Sequence, residues 1–174
     1  DSRIELSRVN EIAARLGKVQ DVLMRITPGV EADTHEYIRT GCEDSKFGFT
    51  MKNDFAFNCV GDVLAAENVR LLGFHCHIGS QIFALTSFRE AVQVMTECVL
   101  RVKEKYGFVT KELDMGGGLG IAYTADDRPS SIDEFAECTV SAVRDFCAHY
   151  QLEEPRIMVE PGRSLVANAG VTLY

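Results

Sequence analysis

The sequence lacks several features that would place it in a specialised class of protein. Its 174 residues contain no uninterrupted apolar run near the ~18 residues of a membrane-spanning helix, and no basic-then-apolar leader is visible. Its 18 basic residues form no run and, against 26 acidic residues, leave a net charge of −8, which argues against a nucleic-acid or anionic membrane partner. The remaining composition, 46% apolar and 25% charged, is that of an ordinary globular domain.

The chain also lacks any Cys-x-x-Cys pair. Its six cysteines are spaced far apart within apolar patterns, at positions 42, 59, 76, 98, 138 and 147. Six cysteines could form a disulfide framework, but this spacing and the apolar surroundings favour reduced, buried thiols in a cytoplasmic protein.

Helical and extended patterns alternate along the chain. Amphipathic spacing predicts helices over 2–17, 54–67, 87–107 and 131–150, the first and third beginning with a capping box at Ser2 and at Ser87. Short apolar runs predict strands over 22–26, 69–76, 112–115 and 157–159, and residues 31–52 read as a long loop. This alternation predicts an α/β fold with right-handed crossovers and a parallel sheet.

Each of the last three predicted strands ends in an unusual polar or glycine-rich segment. These segments are 75–80, 116–118 and 160–163. Because the C-terminal ends of parallel strands lie along one edge of a sheet, where α/β proteins bind ligands, the three segments together predict a single binding site.

The three consecutive glycines, Gly116 to Gly118, allow the backbone to approach a ligand closely and to offer N–H groups to a phosphate. A tight strand-to-helix turn explains them equally well. The segment lacks the later glycine of a dinucleotide fingerprint, because Ile121 and Ala122 follow Gly120, and it does not fit the P-loop pattern.

His75 and His77 lie on either side of Cys76 at the end of the second predicted strand. We expect them to point to opposite sides, one into the interior and one toward the helices, which argues against a metal site. Taken alone, each is more commonly a structural histidine than a ligand. Ser80, just beyond them, offers a hydroxyl group to an anion.

Glu160 and Arg163 lie three residues apart in a Pro-Gly turn. One interpretation is a local ion pair that stabilises the turn. The other is that both side chains bind a charged ligand, since a guanidinium suits bidentate binding of carboxylate or phosphate. Polar residues of the long loop also offer substrate contacts, although a solvated loop accounts for them as well: Asp33, His35, Glu43, Asp44 and Lys46.

Four segments together resemble the diaminopimelate decarboxylases, pyridoxal-phosphate enzymes with an alanine-racemase-like barrel. They are RITPGVEADTHEYIRTGCEDSKFG, GFHCHIGSQI, LDMGGGLGI and EPGRSLVANAG. The resemblance spans the chain in the family's order, and HCHIGSQ with SKFG is its most specific part. GGG and EPGR occur in the wider group of basic amino-acid decarboxylases. One departure is Thr27, where the family usually has Asn.

The resemblance implies a site for pyridoxal 5'-phosphate. His77 would stack against the pyridoxal ring, and Glu160 would hydrogen-bond the pyridine nitrogen and keep it protonated. Arg163 would also bind a substrate carboxylate. The phosphate would be held by Ser80, by the amides of Gly116, Gly117 and Gly118, and by the turn formed by Pro161, Gly162 and Arg163.

The resemblance further implies that the chain is part of a longer enzyme. A (β/α)8 barrel needs roughly 250 residues, and the family's Schiff-base lysine, acid/base cysteine and C-terminal β-domain have no counterpart here, so no catalytic set is complete. We expect residues 1–174 to be the C-terminal half of the cofactor-binding barrel domain, approximately strands 5 to 8 of a TIM-type barrel. Open strand edges predict that this piece self-associates, whereas the parent enzyme is expected to be a homodimer.

The reaction implied by the resemblance converts meso-diaminopimelate, a small amino acid, into L-lysine and carbon dioxide in lysine biosynthesis. Two alternatives remain. One is a related decarboxylase that acts on arginine, ornithine or carboxynorspermidine. The other is a non-catalytic phosphate-binding module that keeps the residues at the strand ends without the chemistry.

Overall fold

A five-stranded parallel sheet, with helices between its strands, organises the chain. The computed structural model describes residues 1–30, 47–171 and 173. The strands are β1 (Gln20–Thr27), β2 (Phe49–Thr50), β3 (Val69–His75), β4 (Glu112–Asp114) and β5 (Arg156–Met158), in the spatial order β2-β1-β3-β4-β5. Every neighbouring pair is parallel, so the predicted α/β fold is confirmed.

The helices are α1 (Arg3–Arg15), α2 (Phe55–Leu64), α3 (Leu85–Tyr106), α4 (Ile132–Tyr150) and the short α5 (Arg163–Val166). The predicted start of α4 is confirmed, because Ser131 and Glu134 form a reciprocal capping box there. The capping box predicted at Ser87 is wrong: α3 begins at Leu85, and Ser87 lies in its first turn with its side chain buried. No helix in the described part of the chain is long and apolar enough to cross a membrane.

The two faces of the sheet differ in polarity. One row of register partners packs into the hydrophobic core and consists of Met24, Phe74, Leu113 and Ile157. The next row belongs to the opposite face and consists of Arg25, His75, Asp114 and Met158. We call the face that carries Arg25, His75 and Asp114 the polar face. Because side chains alternate between the two faces of a sheet, the polar face presents these charged side chains to any group that packs against it.

The long loop predicted over 31–52 is interrupted by regular structure. Residues 31–46 lie outside the described residues, and with them Cys42 and the polar residues of the loop considered above. Beyond them, Phe49 pairs with Ile26 to form β2, and a 3-10 turn follows at Lys52–Asp54. The loop prediction is wrong for these residues because burial of Phe49 against β1, a contact distant in sequence, orders a stretch with no strand pattern of its own.

The described cysteines are free thiols, as expected. Cys59, Cys76, Cys98, Cys138 and Cys147 are all buried and form no disulfide. Burial raises the pKa of Cys76 and of Cys98 to about 12, which keeps both thiols protonated and unreactive at neutral pH.

The sheet ends in β2 on one side and in β5 on the other. The unpaired edge of β5 offers backbone N–H and C=O groups to another strand. We predict that the 174-residue chain self-associates in solution through this edge. Light scattering over a range of concentrations measures this, and a constant mass of 19.3 kDa would contradict it.

Close approach of β3 and β4 at Gly73 generates a second prediction. A Cβ atom at this position would lie well under 3.0 Å from the carbonyl oxygen of Glu112. Gly73→Ala is therefore expected to lower the free energy of unfolding by about 3 kcal/mol in denaturant titrations. At Gly170 a Cβ meets nothing within 4 Å, so Gly170→Ala is the matched control and should change stability by less than ~0.5 kcal/mol. Equal effects of the two substitutions would refute the steric account.

Candidate functional site

The glycine segment after β4 lies between the ends of β3 and β5. A Cβ at Gly116 would lie well under 3.0 Å from the carbonyl oxygen of Cys76, and a Cβ at Gly117 equally close to that of Glu160. Gly118 meets a further backbone carbonyl in the same way. Glycine is therefore required here by the approach of the neighbouring strand ends. This approach brings the three predicted segments together at one edge of the sheet.

The amides of Gly116 and Gly117 have hydrogen-bond partners among the described residues. The N–H of Gly116 donates to Oδ1 of the buried Asp114 at 2.8 Å. The N–H of Gly117 donates to Nδ1 of His77 at 3.3 Å. A phosphate at the glycine segment would have to share or displace these two hydrogen bonds.

The histidines lie on the same side of the sheet. His75 Nε2 is 3.2 Å from Oε2 of Glu160, and the charges of both residues influence the neighbouring His77. The prediction that the two histidines point to opposite sides is wrong, because residues two positions apart in an extended segment share a face. One potential ligand atom from each of His75, Asp114 and Glu160 lies within 4.8 Å of the other two, so the argument against a cation at this place fails.

His77 has a neutral ring at neutral pH. Burial, and after it electrostatic interaction with Arg25 and His75, holds the pKa of His77 below its ordinary value. Because the N–H of Gly117 donates to Nδ1, that nitrogen is the acceptor and the neutral ring carries its proton on Nε2. The histidine is thereby fixed in one tautomer and one orientation.

Arg25 contributes a half-buried cation that no motif in the sequence predicts. It is the register partner of His75 on β1, its guanidinium lies 4.7 Å from the centre of the Phe47 ring, and its Nε is 3.6 Å from Oδ1 of Asp1. Burial lowers the pKa of Arg25, and the nearby Glu160 opposes that shift. The available signal was a single charge inside an otherwise apolar strand.

Arg163 binds Ser80 instead of Glu160. Its Nε and Nη2 donate to the Ser80 hydroxyl oxygen at 3.2 and 3.0 Å, and its Nη1 donates to the hydroxyl of Tyr123. The interpretation of Glu160 and Arg163 as a local ion pair is wrong, since the hydrogen-bond partner of Glu160 is His75. Tyr123 was missed because it lies in a loop without any pattern.

Gln81 connects the loops after β3 and β4. Its side-chain amide donates to the carbonyl oxygen of Ile121 at 2.7 Å, and its side-chain oxygen accepts the N–H of the same residue at 3.2 Å. Ile82 extends this contact, because its N–H donates to the carbonyl oxygen of Gly118 at 2.9 Å. Ser80 is therefore held in place by the residues that follow it.

A cavity of about 250 Å³ lies beside the glycine segment. Gly116 to Gly118, Pro161 and Gly162 form one part of its wall, and apolar side chains such as Phe135 and Leu165 form another. The predicted site residues thus form three neighbouring groups: the Glu160 carboxylate bound by His75, the Arg163 guanidinium bound to Ser80, and the glycine-rich wall of the cavity.

Comparison with known proteins gives matches along the whole chain. Residues 1–167 match the family described as pyridoxal-dependent decarboxylase, pyridoxal binding domain. Over 174 residues the chain is 45% identical to the diaminopimelate decarboxylase of Bacillus subtilis strain 168 and 44% identical to that of Corynebacterium efficiens. It covers all of its own length in both cases, but only 40% and 38% of these relatives.

A solved structure agrees with these matches. The crystal structure of diaminopimelate decarboxylase from M. jannaschii in co-complex with L-lysine has a TM-score of 0.86 and 36% sequence identity. The match covers 97% of this chain and 38% of that chain. The chain therefore spans about two fifths of the length of the relatives that it resembles.

The neutral state of His77 leads to a pH prediction. The unfolded chain binds a proton at this residue below about pH 6.5, whereas the folded chain, whose His77 pKa is lowered, resists it. The contribution of His77 to stability is thus present above pH 6.5 and is lost as the pH falls through the lowered value. His77→Gln is expected to flatten the decline of Tm with falling pH below 6.5, and an unchanged pH profile would contradict this.

Proposed function

Because this chain belongs to the pyridoxal-dependent decarboxylases through their pyridoxal binding domain, we propose that it is part of a diaminopimelate decarboxylase. Such an enzyme converts meso-diaminopimelate into L-lysine and carbon dioxide. The observation that carries this proposal is the 45% identity along all 174 residues with a diaminopimelate decarboxylase. The L-lysine in the complex of the M. jannaschii relative supports the proposed product.

The residues at the strand ends fit pyridoxal 5'-phosphate. A phosphate needs positive charge and hydrogen-bond donors, and Arg163 and Ser80 supply both within 3.0 Å of each other. The glycine segment 116–118 and the turn at Pro161 and Gly162 line one cavity, whose remaining wall consists of apolar side chains such as Phe135 and Leu165. We assign the phosphate to Ser80, Arg163 and the backbone of these two segments, and a substrate carboxylate to Arg163 as well.

The ring of the cofactor would lie between His77 and Glu160. When bound, pyridoxal phosphate accepts the electrons released as carbon dioxide leaves the substrate. Glu160 would keep a proton on the pyridine nitrogen, since a nearby anion favours the charged form of that nitrogen. Its second carboxylate oxygen has no hydrogen-bond partner in the described ranges and would be available for this contact. A neutral His77 can stack on the ring without repelling the protonated nitrogen.

The chain would supply only part of the active site. We propose that residues 1–174 form the C-terminal half of the barrel domain, with β1, β3, β4 and β5 as barrel strands 5 to 8 and β2 as an addition. The lysine that binds the cofactor and the acid/base cysteine would come from the rest of the protein. The parent enzyme would be a homodimer, and its buried free thiols favour the reducing cytoplasm.

The competing functions differ in substrate or in chemistry. A decarboxylase acting on arginine, ornithine or carboxynorspermidine would keep the same cofactor contacts. A non-catalytic module would bind phosphate through Ser80 and Arg163 and release no carbon dioxide. The relatives at 40–45% identity are diaminopimelate decarboxylases, which favours that substrate over the others.

The decisive experiment measures carbon dioxide release by the full-length protein with pyridoxal phosphate. We expect release from meso-diaminopimelate, with L-lysine appearing in equal amount by chromatography. Release from arginine, ornithine or carboxynorspermidine alone would favour the related decarboxylases. Cofactor binding without release from any of these amino acids would favour the non-catalytic module.

A variant tests the phosphate assignment. Arg163→Ala removes the guanidinium that binds Ser80, and loss of a charged hydrogen bond is expected to weaken pyridoxal phosphate binding by at least about tenfold. Quenching of protein fluorescence by the cofactor measures this affinity. Arg144→Ala is the matched control, because Arg144 lies on α4 and pairs with exposed Glu154 at 3.5 Å. An unchanged affinity in Arg163→Ala would remove Arg163 from the phosphate site.

A further inference from the structure

We propose that His75 is a positioning residue, which holds Glu160 by one carboxylate oxygen so that the other faces the pyridine nitrogen. This inference rests on the proposed function. His75 is the last residue of β3, and Glu160 lies two residues beyond the end of β5, across β4. The contact between His75 Nε2 and Glu160 Oε2, at 3.2 Å, therefore joins two strands that are not neighbours in the sheet.

The burial of the two side chains shows which one anchors the other. The His75 side chain is 15% exposed, whereas the Glu160 side chain is 56% exposed. Glu160 also lies in an irregular segment between β5 and α5, where the backbone does little to select a rotamer. A half-exposed carboxylate has several rotamers in water, and ordering it costs free energy. A hydrogen bond from a histidine fixed at the end of a strand selects one of these rotamers before a ligand binds.

The backbone around this pair is also fixed. The N–H of Glu160 donates to the carbonyl oxygen of Gly116 at 2.8 Å, and the N–H of Gly116 donates to Asp114. Asp114 is the register partner of His75. The backbone of Glu160 is thus bound to the segment after β4, and its side chain to the last residue of β3. Its second carboxylate oxygen is the group that stays available to a ligand.

The hydrogen bond to Glu160 requires His75 to act as a hydrogen-bond donor. The carboxylate of Glu160 can only accept, so Nε2 of His75 must carry a proton. The charged and titratable groups around the pair are the Arg25 guanidinium, the Asp114 carboxyl group and the neutral ring of His77. Any side chain that donates from the same place should replace His75, and an apolar side chain of similar size should not.

The test uses the full-length protein and pyridoxal phosphate labelled with ¹⁵N in the ring. The variants are His75→Leu, which removes the donor, His75→Gln, whose amide donates from a similar reach, and Glu160→Gln alone and combined with His75→Leu. Cofactor affinity is measured by fluorescence quenching. The ¹⁵N chemical shift reports protonation of the pyridine nitrogen, which a purely structural role of His75 would not move.

We expect His75→Leu to bind the cofactor about tenfold more weakly than the unchanged protein and to shift the ¹⁵N resonance toward the unprotonated position. His75→Gln should keep both properties close to those of the unchanged protein. Because His75 acts through Glu160, adding His75→Leu to Glu160→Gln should cause no further loss of affinity. His149→Leu, an exposed histidine on α4, is the control and should change neither readout.

Three results would overturn the inference: an unchanged ¹⁵N shift in His75→Leu, losses that add in the double variant, or failure of His75→Gln to restore binding. Circular dichroism checks the fold of each variant. If His75→Leu does not fold, His75→Asn takes its place, because its shorter amide does not reach Glu160. Failure of the unchanged protein to bind the cofactor would overturn the proposed function and this inference together, whereas the three results above leave the proposed function standing.

Discussion

The close approach of three strand ends at the glycine segment is the constraint on which the site depends. With no Cβ at Gly116 and Gly117, the backbones after β3 and β5 come within contact distance of the turn after β4. Any side chain at these positions would push the neighbouring strand ends apart. His75 could then no longer reach Glu160, and Ser80 could no longer reach Arg163. The backbone contacts that pack the strand ends together therefore also assemble the site.

The polar face places opposite charges close together without neutralising them in simple pairs. Arg25 is partly buried and lies against an aromatic ring. Asp114 is buried, and its carboxyl group accepts a hydrogen bond from a backbone N–H. Burial and the nearby Arg25 keep His77 neutral. Such an arrangement costs stability in the isolated chain, since buried polar groups gain little from one another. It leaves the exposed Glu160 and the half-buried Arg163 available to a ligand that carries both positive and negative charge.

Local sequence signals predicted those parts of the structure that are determined locally. The predicted start of α4 at Ser131 and the predicted apolar strands are correct, because interactions within a few residues decide them. The capping box predicted for α3 is wrong, because the Ser87 side chain is buried in the core instead of capping the helix. β2 was missed because its two residues have no pattern and are ordered by contact with β1. Tyr123 was missed for the same reason, as only its contact with Arg163 distinguishes it.

The sequence by itself determined the order of strands and helices, the parallel sheet and the presence of three unusual strand ends, because hydrophobic period and glycine content are local properties. It also carried the family resemblance. Only the tertiary structure decided which residues meet: His75 with Glu160, Ser80 with Arg163, and Arg25 in the same row as His75 and Asp114. The physical reason is that strand register and crossover packing set these contacts between residues 39 to 85 positions apart, a separation at which no local pattern acts.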